Sequence, residues 1–346
     1  MKIFKKYSKR NLIPLDNFIT NVLYDKRFGY YTSKNPFGKK GDFITSPGIS
    51  KLFSEIISIW IVATWKTIGE PKNLNIVELG PGDGSFIKVL LDVSKKFPKF
   101  NSSKNVYLYE KSKFLRQIQK RKLKKENVQW LKNFKKIKKG PVIFFGNEFL
   151  DAIPIKQFKR EKNSFFEKYY TLNDDNKISE IFKPAKKNDI KLIRSFMTLK
   201  NLTFIELPKI GFNELKNIID AINKLGGCIL IIDYGYLKTN NINTLQSVIN
   251  NKKNHILKNL GKADITAHVN FTLLKEFFLK HKFQVNKIIS QKEFLKNMGI
   301  LERAETVAKK MNFKDKADLY LRLKRLLSPK LMGELFKVIV ASKFKV

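Results

Sequence analysis

The sequence predicts an α/β protein: a Rossmann-like sheet with an inserted smaller subdomain and extra N-terminal helices. Three observations predict it. In the stretch Asn75–Ser85 an apolar run (Leu74, Ile76, Val77, Leu79) ends in Gly80, Gly82 and Gly84, and Phe86, Ile87, Leu90 and Leu91 follow at helical spacing. Apolar strand-like runs then recur with helical segments between them, at 105–110, 128–130, 141–146, 228–233 and 334–342. From Ile155 to about Leu202 that alternation is suspended. The expected division is 1–70 for N-terminal helices and a pocket-lining loop, 71–154 for the first part of the core, 155–202 for the insertion, and 203–346 for the rest of the core with helical additions.

Met1–Arg10 is basic but short, without the apolar centre of a signal peptide. Ile13, Phe18, Ile19, Val22 and Leu23 recur at helical spacing behind Pro14. Phe28–Pro47 is punctuated by glycine and rich in hydroxyls and aromatics, so it reads as a loop system that lines a pocket. Gly48–Ile68 is an amphipathic helix (Leu52, Phe53, Ile56, Ile57, Trp60, Ile61) closed by Gly69 and Pro71.

The glycine turn carries the first chemical signal. Gly80, Gly82 and Gly84 let the backbone take positive φ and approach a ligand, and the helix that follows opens on unsatisfied N–H groups. The spacing is Gly-x-Gly-x-Gly, not the dinucleotide Gly-x-Gly-x-x-Gly. Glu78 precedes it and Asp83 sits inside it, and both would repel a pyrophosphate. A ligand carrying an ammonium and a sulfonium fits instead, which favours S-adenosylmethionine (SAM). The next strand, Asn105–Glu110, ends in an acid one βα unit on, placed to accept the hydroxyls of an adenosine ribose. The fourth strand, Pro141–Gly146, delivers Asn147, Glu148 and Asp151 to the carboxyl end of the sheet, where ligands of open α/β sheets sit.

Ile155–Tyr170 alternates charged and apolar residues as antiparallel strands do. Asn173–Lys187 is turn-rich and polar, Ile190–Met197 helical, and Phe204–Pro208 a short strand holding the lone acid Glu206. A helix over Asn213–Leu225 and the buried strand Cys228–Asp233 resume the core. Leu245–Leu260 is expected to be irregular, and Gly261–Phe271 is polar, with His268 among small residues. Helices over 271–280, 291–310 and 315–327 and strands over 283–289 and 334–342 complete the chain.

Composition removes several classes. No stretch approaches the ~18 apolar residues of a spanning helix. One cysteine, Cys228, excludes an internal disulfide, and three dispersed histidines offer no metal cluster. Lys+Arg 69 against Asp+Glu 30 gives a net charge of +39. Lysine is spread over helices and turns alike, with no aromatic-interleaved arginine tract, so the charge reads as compositional, with salt-dependent stickiness to polyanions and no specific nucleic-acid site.

Taken together these motifs resemble the MidA-type SAM-dependent methyltransferases. The matching stretches run from Phe28-Gly-Tyr-Tyr31 and Gly41–Pro47 through Val77–Gly82, Tyr109-Glu110 and Asn147–Ala152. They continue through Ile232–Gly235, Gly261–Phe271, Gln291 with Phe294-Leu295, Gly299-Ile300 with Arg303, and Met332–Lys337. The acid typical after Ser-Pro is replaced by Gly48. The resemblance implies a class I methyltransferase sheet with an insertion, SAM as cofactor, and a protein substrate methylated on arginine. The family includes a mitochondrial assembly factor that acts, by symmetric dimethylation, on a subunit of respiratory complex I. A cytoplasmic location follows for a bacterial chain and a mitochondrial matrix location for a eukaryotic one.

On that reading Glu148 and Asp151 hold the guanidinium, Glu206 forms a second wall and His268 accepts a proton. Glu78 and Glu110 serve the methionine and ribose ends of SAM with Gly80, Gly82, Gly84 and Asn147, while Tyr31, Asp42, Thr45 and Ser46 close over it. Two alternatives stand beside it: a SAM-binding assembly chaperone with incidental catalysis, and a nucleic-acid methyltransferase. Base amino-methylases carry Asn/Asp-Pro-Pro-Tyr/Phe after the fourth strand, where this chain has Asn147-Glu-Phe-Leu150.

Overall fold

Six strands carry the central sheet of the computed structural model, which describes residues 6, 12–33, 36, 46–173 and 177–344. They are β1 (Leu74–Leu79), β2 (Lys104–Tyr109), β3 (Val128–Leu131), β4 (Val142–Asn147), β5 (Gly227–Tyr236) and β6 (Phe336–Ser342). Their order is β6-β5-β4-β1-β2-β3, with β6 antiparallel to β5 and the other five parallel. Three two-residue strands (Val269–Asn270, Gln284–Val285, Ile289–Ser290) extend it. Every residue of β1 is buried, because helices cover both faces of a parallel sheet. Helices Lys51–Thr67 and Ser85–Ser94 pack on one face; Lys209–Leu225 and Phe271–Lys280 pack on the other.

From β1 the chain steps outward to β2 and β3, then returns to β4 on the opposite side of β1. That reversal opens a crevice beyond the carboxyl ends of β1 and β4. The glycine turn, Glu110, the Asn147–Asp151 segment and Asp233 all lie at such strand ends.

The inserted region is not self-contained. Its antiparallel sheet runs Leu12–Pro14, Ser164–Leu172, Lys156–Glu161, Phe204–Leu207, with Ile178–Pro184 added beside Ser164–Leu172. Ile178–Pro184 falls in the segment expected to be turn. It is an outer strand with no buried residue, so it carries no alternating apolar pattern to read. The stretch expected to be irregular, 245–260, contains strands Gln246–Ile249 and Lys252–Asn254, which join Asp264–Thr266 in a three-stranded sheet. The single helix expected over 291–310 is two, Gln291–Asn297 and Ile300–Ala308, broken at Gly299 with φ of +80°.

Candidate active site

Gly80, Gly82 and Gly84 have φ of +63°, +53° and +80°, so the turn after β1 takes a backbone conformation that favours glycine. The helix Ser85–Ser94 starts directly from Gly84. Beyond this turn lies a cleft of about 150 Å³, lined by Glu78, Gly80, Gly82, Glu110, Asn147, Glu148, Asp151, Tyr31 and Tyr234 among others. Gly84 is not in the lining: a Cβ there would sit 3.3 Å from Leu123, so this glycine serves the packing of the turn against the end of the helix Lys113–Lys122.

The cofactor end shows a donor and acceptor set that fits SAM. Glu78 is buried, and its Oε2 has no hydrogen-bond partner, an acceptor open to an ammonium. Burial, then the charges of Asp83 and Glu110, pushes its pKa well above the ordinary carboxylate range. Glu110 is raised to about 7 by burial, against hydrogen bonds from Ser112 N (2.7 Å) and Gln119 Nε2 (3.3 Å). Asp83 is partnered by Lys122 at 2.7 Å and by Ser85 N at 3.0 Å, which outweigh its partial burial and lower its pKa. It therefore does not add a free negative charge to the cleft.

Gln119 was not legible as a site residue. Its Nε2 donates to the Gly82 carbonyl (2.8 Å) and to Glu110, while its Oε1 accepts from Trp130 Nε1 (2.8 Å). It ties the glycine turn to Glu110. A glutamine inside a helix leaves no motif; only the packed structure reveals it.

The other side of the cleft is built by the segment after β4. Glu148 has φ of +53°, uncommon for a residue with a side chain. Its Oε1 accepts from Asn147 Nδ2 (2.9 Å) and Ser46 N (3.1 Å). Burial and the neighbouring Asp151 raise Glu148 to about 7. Asp151 is buried, with Oδ1 unpartnered; Tyr234 O–H donates to its carboxylate, and burial raises it to about 6. Ser46 thus reaches the site through its backbone, not by lining it. Tyr31 does line it, its hydroxyl 3.0 Å from Asp264 Oδ2 and its carbonyl accepting from Ser112 Oγ. Asp42 and Thr45 lie outside the described residues.

Two expected residues are not brought into this cleft. Glu206 and His268 line a neighbouring cavity of about 40 Å³, shared with Leu150, Phe212 and Leu273. Glu206 stands opposite Gln157 in the second sheet, and its oxygens accept from Gln157 Nε2 (2.8 Å) and from Thr244 N (3.0 Å) and Oγ1. With both oxygens occupied it offers no free wall to a guanidinium. His268 meets the cleft only through the edge-on contact of its ring with Tyr234, at 5.2 Å between centroids. Burial lowers its pKa, which keeps the imidazole neutral.

Comparison with known proteins follows the same lines. The chain is 27% identical to the mitochondrial protein arginine methyltransferase NDUFAF7 of Danio rerio, over 94% of this chain and 82% of the relative. Identity is 28% with the Homo sapiens protein (94% and 78% covered) and 32% with the Caenorhabditis elegans homolog (80% and 70%). In fold it is similar to a Burkholderia thailandensis protein solved with bound S-adenosyl-homocysteine: TM-score 0.81 at 22% identity, covering 96% and 88% of the two chains. Residues 56–289 match the family described as "Putative S-adenosyl-L-methionine-dependent methyltransferase". The chain belongs to that family, the MidA-type SAM-dependent methyltransferases, whose cofactor is SAM.

Proposed function

We propose that the protein methylates an arginine side chain of a protein substrate, with Glu148 and Asp151 holding the acceptor. The observation that supports this most directly is their lack of a salt bridge. Among the described residues neither forms a salt bridge, although Asp151 is buried and both stand in the cleft that Glu78 and Glu110 also line. Recessed carboxylates without a salt-bridge partner are costly to ionise, and an incoming guanidinium would relieve that cost. Bound SAM supplies an electrophilic methyl group on a sulfonium sulfur.

An arginine side chain stays protonated at physiological pH, so the site must orient one of its nitrogens and then take its proton. Two carboxylates can grip the guanidinium in a fork and leave one nitrogen facing the methyl group. Glu148, raised to about 7, suits the proton that leaves this nitrogen as the new N–C bond forms. Asp151, steadied by Tyr234, would remain the anchoring charge. Glu78 and Glu110 are assigned to the amino and ribose ends of SAM, with Gly80 and Gly82 beneath it.

The relatives named protein arginine methyltransferases favour arginine as acceptor. The family resemblance makes a complex I subunit, or a protein like it, the first substrate to test. We place the reaction in the cytoplasm of a bacterium, or in the matrix if the source is eukaryotic. No helix among the described residues is long and apolar enough to cross a membrane.

Tritiated SAM added to a lysate lacking this protein, together with the purified chain, should label a discrete protein band on arginine. Glu148→Gln should lower labelling by at least about 100-fold while S-adenosyl-homocysteine affinity changes less than about threefold. Loss of cofactor binding in that variant would refute the role given to Glu148. Absence of any labelled protein with the wild-type chain would favour a SAM-binding assembly chaperone.

A further inference from the structure

We propose that Asp233 is a positioning residue for methyl transfer: its carboxylate gathers three successive N–H groups after β4 and so fixes Glu148 and Asp151 toward the acceptor. The inference rests on the acceptor-site reading above. It starts from strand pairing. β5 lies parallel to β4, with Ile232 opposite Asn147, so Asp233 falls beside the point where β4 ends. Glu148 leaves the strand with its N–H on the Ile232 carbonyl at 2.9 Å. The next three N–H groups, of Phe149, Leu150 and Asp151, then converge on Asp233 Oδ2 at 3.1, 2.8 and 3.3 Å. The other oxygen, Oδ1, accepts from Tyr234 N at 2.9 Å.

Asp233 is 0% exposed and is not among the residues lining the cleft, so it is not placed to touch substrate or cofactor. Its hydrogen bonds explain how a non-glycine residue can hold positive φ at Glu148. The turn that follows would otherwise leave three N–H groups unpaired, and this one acceptor satisfies them all. The same bonds set the spacing between Glu148, on which Asn147 and Ser46 converge, and Asp151, on which Tyr234 converges. A carboxylate on the neighbouring strand thus does for this segment what a capping side chain does for a helix.

The test uses the full chain, with tritium transfer from labelled SAM into lysate protein as the rate and calorimetric binding of S-adenosyl-homocysteine as the control. Asp233→Ala should slow transfer by about 10- to 100-fold, the cost of a small misplacement of reacting groups. Its affinity for S-adenosyl-homocysteine should stay within about threefold of wild type. Asp233→Asn should recover most of the rate, because the amide oxygen can receive the same three N–H groups. Adding Asp233→Ala to Glu148→Gln should slow transfer no further, since both changes disable one unit. If Asp233→Ala does not fold, Asp233→Ser, too short to gather three donors, carries the same expectations. A wild-type rate in the folded alanine or serine variant overturns the proposal, and so does a double variant slowed by the product of the two single effects. A wild-type rate in Glu148→Gln alone would instead bring down the acceptor-site reading, and this proposal with it.

Discussion

Asp16, Glu167 and Asp189 surround the ammonium of Lys156, whereas Glu78, Glu110, Glu148 and Asp151 form no salt bridge among the described residues. The first cluster joins the N-terminal helix Leu15–Tyr24, the second sheet and the helix Lys187–Arg194. Lys156 hydrogen-bonds Glu167, stands 3.6 Å from Asp16 and 3.5 Å from Asp189, and Lys209 meets Asp189 at 2.6 Å. Burial pulls the Lys156 pKa down, but Glu167 and the two aspartates outweigh it and the net shift is upward. In the cleft the balance runs the other way: Glu78, Glu110, Glu148 and Asp151 are all raised, with burial as the leading cause. A chain with net charge +39 has cations to spare, so the lack of a salt bridge to these acids among the described residues is a property of the site and not of composition. A closed cluster holds the fold together. The open one keeps four buried or recessed acids with raised pKa values.

The largest expected effect tests the closed cluster. Lys156→Met removes the cation and leaves its carboxylates buried, which should cost about 3–5 kcal/mol of stability in urea unfolding. A loss below about 1 kcal/mol would show that the first cluster is not held by its lysine, and the contrast would fail. The second effect tests the open cluster in function. If ionised Glu148 and Asp151 grip the guanidinium, transfer at limiting substrate should fall as pH drops through about 7 and then 6, where these groups take up protons. The fall should approach about tenfold per pH unit between these values and steepen toward about a hundredfold per unit below the lower one. The arginine itself stays charged across that range, so a flat profile from pH 8 to 5.5 would remove both carboxylates from the mechanism.

The open cluster was far more legible in the sequence than the closed one. β1 is buried along its whole length and apolar at Leu74, Ile76, Val77 and Leu79, and Gly80, Gly82 and Gly84 mark a turn that needs positive φ, so strand, turn and the acid Glu78 could be read together. Glu148 and Asp151 followed from their place at the end of β4. Glu206 shows where that logic stops. It also ends a short strand, but the strand pairs with Lys156–Glu161 in the second sheet, so its end does not open on the cleft. A single strand does not announce which sheet it joins. Asp233 and Lys156 were illegible for a related reason. Their roles depend on partners 82 to 84 and 11 to 140 residues away in the chain, and no local pattern records such pairings.

The smallest effect turns the comparison back on stability. Glu148 has a folded-state pKa of about 7 against the usual 4.5. Between those values the folded chain keeps a proton that the unfolded chain has lost, so stability falls as pH rises through that window. The penalty is fully present above about 7 and absent below 4.5, the reverse of a salt-bridged carboxylate. Glu148→Gln removes the ionisable group while keeping an oxygen for Asn147 and Ser46. The SAM-free variant should therefore be more stable than wild type at pH 8, by on the order of 1 kcal/mol or a few degrees in Tm, and equal to it near pH 4. Thermal unfolding at the two pH values reads the difference directly. A variant less stable than wild type at pH 8 would mean that Glu148 is already satisfied within the fold, and the open cluster would then be a second closed one.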